Sequence, residues 1–191
     1  MRGLALTFDD GPDPEWTPRL LDVLERAGAR ATFFPIATRA AANPELIARM
    51  LADGHTVGLH CHEHVRHSSR DRDWLEADTV AALALLRDTG VVHPKLWRTP
   101  WGDIAPFTGE VAAAHKLALV GWTVDTHDWR GDDAQTMLAA TAGELGDGAI
   151  VLAHDGIGPG AQRADIEQTI AYTELVAQRA RADGLTLAAL S

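Results

Sequence analysis

The sequence predicts an α/β fold, a distorted (β/α) barrel of about seven parallel strands that takes up residues 1–191 as a single domain. Short apolar segments rich in β-branched and aromatic residues alternate with longer segments of helical periodicity. This alternation is typical of parallel strands joined by helical crossovers. The 191 residues are 46% hydrophobic and 23% charged, which suits one globular core. A doubly wound open sheet is the alternative arrangement of the same units.

The predicted elements follow one another without a linker or an internal repeat. The strands are expected at 3–8, 30–36, 55–60, 95–98, 117–124, 148–153 and 185–189. The helices are expected at 16–27, 44–53, 74–89, 107–115, 133–145 and 162–183. Asn43 and Pro44 indicate an N-cap followed by proline at the first helical position. Glycines stand where four helices should end, at Gly28, Gly54, Gly90 and Gly184. Seven units suggest a barrel one unit short of eight, open at one seam.

Charge and composition argue against several classes of partner. The net charge is −10, whereas nucleic acids and anionic membranes bind clustered positive charge. No run of 18 apolar residues predicts a transmembrane helix. The first predicted strand begins so close to Met1 that no secretion signal is expected, which predicts a cytoplasmic protein. A chain whose secretion signal had been removed would have the same pattern at its start.

Cys61 is the only cysteine, so no intrachain disulfide forms. No sequence pattern indicates an oligomeric state.

Acids, histidines and an arginine follow five different predicted strands. They are Asp9 and Asp10 after the first, His60 and His64 after the third, Arg98 at the end of the fourth, Asp125 and Asp128 after the fifth, and His154 after the sixth. In barrels of this kind, catalytic groups from separate strands converge at the carboxyl-terminal face. The pattern therefore predicts one active site, and it carries more weight than any single motif.

The histidine-rich segment after the third strand predicts a metal site. On a helical turn, His60 and His64 share a face at the spacing that lets two imidazoles bind one metal. If the strand continued, His62 would lie on the same side as both. Together with a carboxylate such as Asp10, the two histidines make three protein ligands and leave coordination open, as in catalytic zinc sites. Cys61 is an alternative fourth ligand, although its intervening position favours a small buried residue.

Two further segments contain residues suited to acid–base chemistry. Arg98 at a strand end can hold a neighbouring carboxylate ionised through charge-assisted hydrogen bonds. Pro100 and Gly102 predict a tight loop whose backbone N–H groups face a ligand, which makes Pro100 a candidate substrate-binding residue. His154 follows a buried strand and precedes an acid, a setting that suits a general acid.

Together and in this order, five motifs resemble the polysaccharide deacetylases of the NodB-homology type, the family 4 carbohydrate esterases. The motifs are TFDDGP at Thr7–Pro12, HCHEH at His60–His64, RTPWG at Arg98–Gly102, DTHDW at Asp125–Trp129 and IVLAH at Ile150–His154. The resemblance implies a distorted (β/α) barrel of the NodB type and a metal-dependent N-deacetylase. The metal is usually zinc, and the same ligands accept Co²⁺, Ni²⁺ or Mn²⁺.

The resemblance also implies which residues bind the metal and which act as the general base and its partner. Asp10, His60 and His64 would bind the metal. Asp9 would be the general base, and Arg98 would hold it in its ionised form.

For the remaining motifs, the resemblance implies that His154 is the general acid and that Asp128 orients it. The backbone N–H of Trp101 would help to form the oxyanion hole. Trp129 and Leu152 would line the pocket for the acetyl methyl group.

The chain departs from the family pattern at two positions. Cys61 stands where the family usually has Ser or Thr, so a local hydrogen bond is expected to be missing. Trp101 stands where Tyr or Phe is usual, so the rim of the site is bulkier.

The expected reaction is removal of an N-acetyl group from an N-acetylglucosamine-containing saccharide of the chitooligosaccharide or peptidoglycan type. The predicted lack of a secretion signal motivates an alternative, a cytoplasmic deacylase of a small N-acylated metabolite or cyclic amide. A third possibility is an amidohydrolase-type barrel that uses His60 and His62. A fourth is a binding module that kept the fold and lost catalysis, against which Asp9, Arg98 and His154 argue.

Overall fold

The computed structural model describes residues 3–191, in which parallel strands form an incomplete barrel with helices packed against it. The strands run over Gly3–Asp9 (β1), Thr32–Phe34 (β2), Thr56–Val57 (β3), Leu96–Trp97 (β4), Ala118–Leu119 (β5), Val124–Asp125 (β6), Ile150–His154 (β7) and Thr186–Leu187 (β8). The helices run over Thr17–Ala27 (α1), Ala37–Ala42 (α2), Pro44–Ala52 (α3), Arg72–Asp88 (α4), Thr108–Ala114 (α5), Ala134–Thr141 (α6) and Glu167–Ala182 (α7). The predicted fold class is confirmed.

The strand order brings the ends of distant segments together. The main sheet runs β3-β2-β1-β7-β6, and β8 pairs with the first residues of β1. Strands β4 and β5 pair with each other, and a single parallel bridge between Leu59 and Trp97 joins them to the β3 side. Within residues 3–191 no ladder connects β5 to β6, so the barrel is open at this seam.

The predicted strand 117–124 is wrong as one element, because the chain changes partner inside it. Val120 N–H donates to Trp97 O at 2.8 Å, on the β4 side, whereas Thr123 N–H donates to Ile150 O at 2.9 Å, on the β7 side. Between them, Gly121 O accepts from the Arg98 guanidinium at 2.8 Å. The apolar run therefore crosses the seam and supplies two short strands.

The helices differ from the sequence prediction in four places. Helix α6 ends at Thr141, before the expected 145. The alanine-rich helix α2 was not predicted. Helix α3 begins at Pro44 as expected, but Asn43 does not cap it, because its side-chain amide donates to Arg39 O at 3.0 Å. Helix α7 begins at Glu167 instead of 162, which leaves Arg163 in a loop. All four predicted helix-ending glycines adopt positive φ; Gly28, for example, has φ 64°.

Strand β1 lies in the middle of the sheet and is buried along nearly all of its length. Phe8 stacks on Phe33 of β2 with ring centroids 5.3 Å apart, and both rings are fully buried. Each such side chain contributes roughly 1.5–3 kcal/mol of hydrophobic stabilisation. The residues that end β1 are therefore held by a rigid core. No helix between residues 3 and 191 combines the length and apolar character that crossing a bilayer requires.

Candidate active site

The predicted site residues meet at the carboxyl ends of the strands. Parallel register places Asp9, the last residue of β1, beside His154, the last residue of β7. Asp10 follows at once with a φ of 73°, a left-handed conformation that is uncommon for a non-glycine residue and often occurs at functional sites. Glycine is needed opposite it, because a Cβ on Gly158 would lie 1.9 Å from Asp10 Oδ2.

Asp10, His60 and His64 form the group of metal-ligating atoms that the spacing predicted. Asp10 Oδ1 lies 3.3 Å from His60 Nε2 and 3.2 Å from His64 Nε2, and one ligand atom from each residue lies within 4.8 Å of the others. The segment is a bend and not a helical turn. His62 and Cys61 are outside this group, and Cys61 is buried.

The arrangement of these atoms fits a bound cation. Arg98 O lies 2.7 Å from His60 Nδ1, and since a carbonyl only accepts, Nδ1 carries the proton and Nε2 presents its lone pair. Asp10 Oδ1 is buried and makes no hydrogen bond to a described residue, despite its two imidazole neighbours. Burial raises the pKa of Asp10, but the imidazoles of His60 and His64 outweigh burial and hold it well below its usual range. A carboxylate facing two imidazole nitrogens is a donor set typical of catalytic zinc.

Asp9 forms a buried ion pair with Arg98. Arg98 Nη1 donates to Asp9 Oδ1 at 3.0 Å and to Thr7 Oγ1 at 2.6 Å. The guanidinium is fully buried, lies over the Phe34 ring at 4.5 Å and reaches the seam through Gly121 O. These contacts fix the plane of the guanidinium and so orient the Asp9 carboxylate.

His154 and Asp128 form the second pair of charged groups. His154 Nδ1 lies 2.7 Å from Asp128 Oδ1, and its backbone N–H donates to Asp128 Oδ2 at 3.0 Å. Burial lowers the pKa of His154, but the charge of Asp128 and the hydrogen bond to it outweigh burial and raise it to about 9. Burial raises the pKa of Asp128, but the charge and hydrogen bond of His154, helped by Arg163, lower it to about 2. The imidazole is therefore held protonated near neutral pH.

Sequence reasoning missed two residues that complete this pair. Arg163 Nη1 and Thr169 Oγ1 each donate to Asp128 Oδ2 at 2.8 Å. Arg163 also hydrogen-bonds Thr169 Oγ1 and donates to His154 O at 3.2 Å. Arg163 lay within a predicted helix, and a single arginine there carries no signal of a site.

Asp155 was also missed, and it holds the turn that follows Asp10. Its carboxylate accepts from Gly11 N–H at 3.2 Å and from Thr17 Oγ1 at 2.8 Å. Burial raises the pKa of Asp155 to about 7, against the opposing effect of the Thr17 hydrogen bond. The only local signal was its position next to His154.

A cavity of about 320 Å³ opens over these groups. The predicted residues on its wall are Asp9, Asp10, His60, His64, Trp101, Trp129, Leu152 and His154. Trp122 and Arg66 also line it and were not predicted. Pro100 is not part of the wall as the structure describes it; it is buried and shapes the turn in which Trp101 adopts φ 55°. Asp125, which the sequence pattern had grouped with the site, is also absent from the described wall. Its carboxylate accepts from His127 N–H.

The Trp101 ring lies between two other groups at the rim of this cavity. The His64 ring meets it edge-on with centroids 4.1 Å apart, and the Arg66 guanidinium lies 4.6 Å from its centre. The indole is 41% exposed. It is therefore placed to form one wall of the entrance.

The pairing of His154 with Asp128 makes stability depend on pH, and we expect this in metal-free protein. The folded-state pKa of about 9 exceeds the unfolded value of about 6.5. The stabilisation is fully present below about pH 6.5, is lost as the pH rises through 9, and is on the order of 3 kcal/mol. Urea unfolding in chelator should give a stability difference between wild type and His154→Gln that shrinks over this range. A constant difference contradicts the prediction.

Comparison with known proteins identifies a family of similar sequences. The family model described as polysaccharide deacetylase matches residues 2–120. A chitooligosaccharide deacetylase from a Bradyrhizobium species is 37% identical over 169 residues, which cover 88% of this chain and 77% of that protein. A peptidoglycan-N-acetylglucosamine deacetylase from Bacillus cereus is 36% identical over 155 residues, covering 80% and 72%.

A solved structure shares the whole fold. A family 4 carbohydrate esterase from Streptomyces lividans, in complex with acetate, superposes with a TM-score of 0.89 at 29% identity and covers 100% of this chain and 93% of that one. The family match spans more than half of the sequence, and the relatives exceed 30% identity over most of it. The chain therefore belongs to the polysaccharide deacetylase family of carbohydrate esterases, a family of hydrolases.

Proposed function

We propose that this protein is a metal-dependent hydrolase that removes N-acetyl groups from an N-acetylglucosamine-containing saccharide of the chitooligosaccharide or peptidoglycan type. One observation carries the proposal: a metal-ligand group, an arginine-paired carboxylate and an aspartate-paired imidazole all face one cavity. The named activities of the Bradyrhizobium and Bacillus relatives support the substrate class.

Asp10, His60 and His64 would hold the metal. A divalent transition metal, with Zn²⁺ as our first choice, supplies Lewis acidity that polarises an amide carbonyl and acidifies water. Groups outside the ligand set contact two of these three residues. Arg98 O lies beside the His60 ring, and Asp155 holds the backbone of the turn that follows Asp10.

Asp9 would act as the general base. Its carboxylate takes a proton as water attacks the amide carbon, and Arg98 keeps it charged and oriented. Because the buried Arg98 guanidinium already fixes the Asp9 carboxylate, this carboxylate need not reorient during the reaction. The backbone N–H of Trp101 stays our prediction for a donor to the developing oxyanion.

His154 would act as the general acid. The C–N bond breaks to acetate and an amine only when the nitrogen receives a proton, and Asp128 leaves His154 Nε2 free to deliver it by occupying Nδ1. The raised pKa of His154 keeps that proton in place near neutral pH. A base and an acid in one site predict a bell-shaped pH–rate profile.

The cavity wall suits a compact acyl group. Trp129 and Leu152 supply apolar surface beside the charged groups, as expected for a methyl pocket. A volume of about 320 Å³ lies at the small end of ligand sites. It fits one acylated sugar unit, or the small N-acyl compound of the alternative hypothesis, with the rest of a longer chain outside.

Acetate release from a panel of substrates tests the proposal. The panel contains chitooligosaccharides of increasing length, a peptidoglycan fragment, free N-acetylglucosamine and small N-acetyl amines, each with and without chelator. We expect chelator-sensitive release that rises with oligomer length. Release from small compounds alone supports the metabolite deacylase instead. Metal binding without release from any substrate contradicts the proposal and favours a binding module.

A further inference from the structure

Helix α4 places an acid against the metal-ligand segment. Asp78 is the one buried acid of α4, 8% exposed and on the same side of the helix as the buried residues Leu75, Ala82 and Leu86. A carboxylate in such a position is costly unless it is hydrogen-bonded. The Asp78 carboxylate must therefore have hydrogen-bond donors nearby.

Both oxygens of Asp78 bind the backbone between the two histidine ligands. Oδ2 accepts from His62 N–H at 3.0 Å, and Oδ1 accepts from Glu63 N–H at 2.8 Å. These are the two residues immediately before His64. The segment from 60 to 64 contains no hydroxyl, and the thiol of Cys61 is a weak hydrogen-bonding group. The bend is thus held from outside, by α4.

The two imidazole ligands differ in how they are held. His60 is fixed through its own ring, because Nδ1 bonds to Arg98 O at 2.7 Å. His64 Nδ1 is buried and has no hydrogen-bond partner within residues 3–191. Its ring meets the rings of His60 and Trp101 and the Asp10 carboxylate. The position of the His64 ring consequently depends on the backbone that leads into it, where Asp78 holds the N–H groups of His62 and Glu63.

We propose that Asp78 is the positioning residue for the metal ligand His64, acting through the His62 and Glu63 backbone. The inference rests on the proposed function, since it requires a metal at the Asp10, His60 and His64 group. Metal-binding histidines are commonly oriented by carboxylates that contact the ring. Here the carboxylate orients the peptide instead, from a helix that packs against α2 and α5.

The experiment measures metal affinity, with a matched control on the same helix. Asp78→Asn keeps the size of the side chain but turns an amide N–H toward one of the two backbone donors. Asp71→Asn is the control, because Asp71 also accepts a backbone N–H of α4, from Trp74 at 2.8 Å, away from the site. Zn²⁺ affinity is measured by competition with a chromophoric chelator, and the visible spectrum of bound Co²⁺ reports ligand geometry.

We expect Asp78→Asn to weaken Zn²⁺ binding by about 10- to 100-fold, the range typical of outer-shell residues, and to change the Co²⁺ spectrum. Asp71→Asn keeps an oxygen that can accept from Trp74 N–H, so it should leave the melting temperature and both metal readouts close to wild type. Asp78→Glu, which keeps both oxygens and the charge, should retain more affinity than Asp78→Asn. Introduced into His64→Ala, Asp78→Asn should cause no further loss of affinity, because the ligand through which it acts is gone.

Several results overturn the inference. Wild-type Zn²⁺ affinity in Asp78→Asn does so directly. An equal loss of affinity in Asp71→Asn makes the effect a general result of removing negative charge near α4. A full additional loss in the His64→Ala background shows that Asp78 acts through another group. These results leave the proposed function standing, whereas a wild-type protein that binds none of Zn²⁺, Co²⁺, Ni²⁺ and Mn²⁺ overturns both.

Discussion

Replacing Asp9 with asparagine is expected to abolish most of the deacetylase activity while the metal stays bound. The asparagine oxygen can still accept from Arg98 Nη1, which lies 3.0 Å from Asp9 Oδ1, but the amide cannot take the proton of the attacking water. General-base catalysis contributes roughly 10²- to 10⁴-fold, and we expect kcat to fall within that range. Acetate release and metal content are measured on the same preparation.

The control for this variant is Asp125→Asn. Asp125 is also the last residue of a strand, β6, but its carboxylate accepts from His127 N–H, and it is not part of the cavity wall that the structure describes. It should keep full activity. Since Asp9 belongs to a buried ion pair, unfolding midpoints are compared for both variants. Full activity in folded, metal-loaded Asp9→Asn removes Asp9 as the base.

Alanine at His64 is expected to remove the metal, and alanine at His62 is not. His64 Nε2 lies 3.2 Å from Asp10 Oδ1, whereas the ligand-atom group leaves out His62. Loss of a ligand should weaken Zn²⁺ binding beyond the roughly 10- to 100-fold typical of outer-shell residues. Activity should disappear with the metal. Equilibrium dialysis followed by metal analysis measures the first effect, and acetate release measures the second.

His62→Ala is a close control, because it changes the same residue type two positions away in the same bend. The backbone N–H that donates to Asp78 is kept in this variant. If His62→Ala lost the metal and His64→Ala kept it, the site would be the amidohydrolase-type pair that was the alternative interpretation of this segment.

Residue order and local periodicity were enough to predict most of the candidate site. Apolar runs that end in polar residues indicate strands with catalytic or metal-binding residues at their carboxyl ends. Parallel strands bring those ends to one face. Asp9 and His154 are 145 positions apart in the chain, yet they are neighbours because β1 and β7 pair in register. The charged residues of the site needed only the alternation of elements and the residue types at their ends, whereas the substrate-side roles of Trp101, Trp129 and Leu152 came from the family resemblance.

The groups that orient the site residues lack such a signal. Asp78 occurs in an amphipathic helix, where an acid is ordinarily taken for a solvent-facing residue. Arg163 lies in a stretch that resembles the start of a helix, and only the later start of α7 at Glu167 frees it to reach Asp128. Hydrogen bonds between distant segments leave no periodicity in the sequence, so these residues could not be picked out.

The split of 117–124 shows the same limit within the fold. Apolar content predicts a strand there, and both ends of the segment are indeed extended. Whether the segment pairs with one neighbour or two depends on where the barrel opens, and that depends on how the surrounding strands and Arg98 pack. Element type and the chemistry at strand ends follow from residues close in sequence. Strand partners, the left-handed turn at Asp10 and the support of His64 follow from packing between segments far apart.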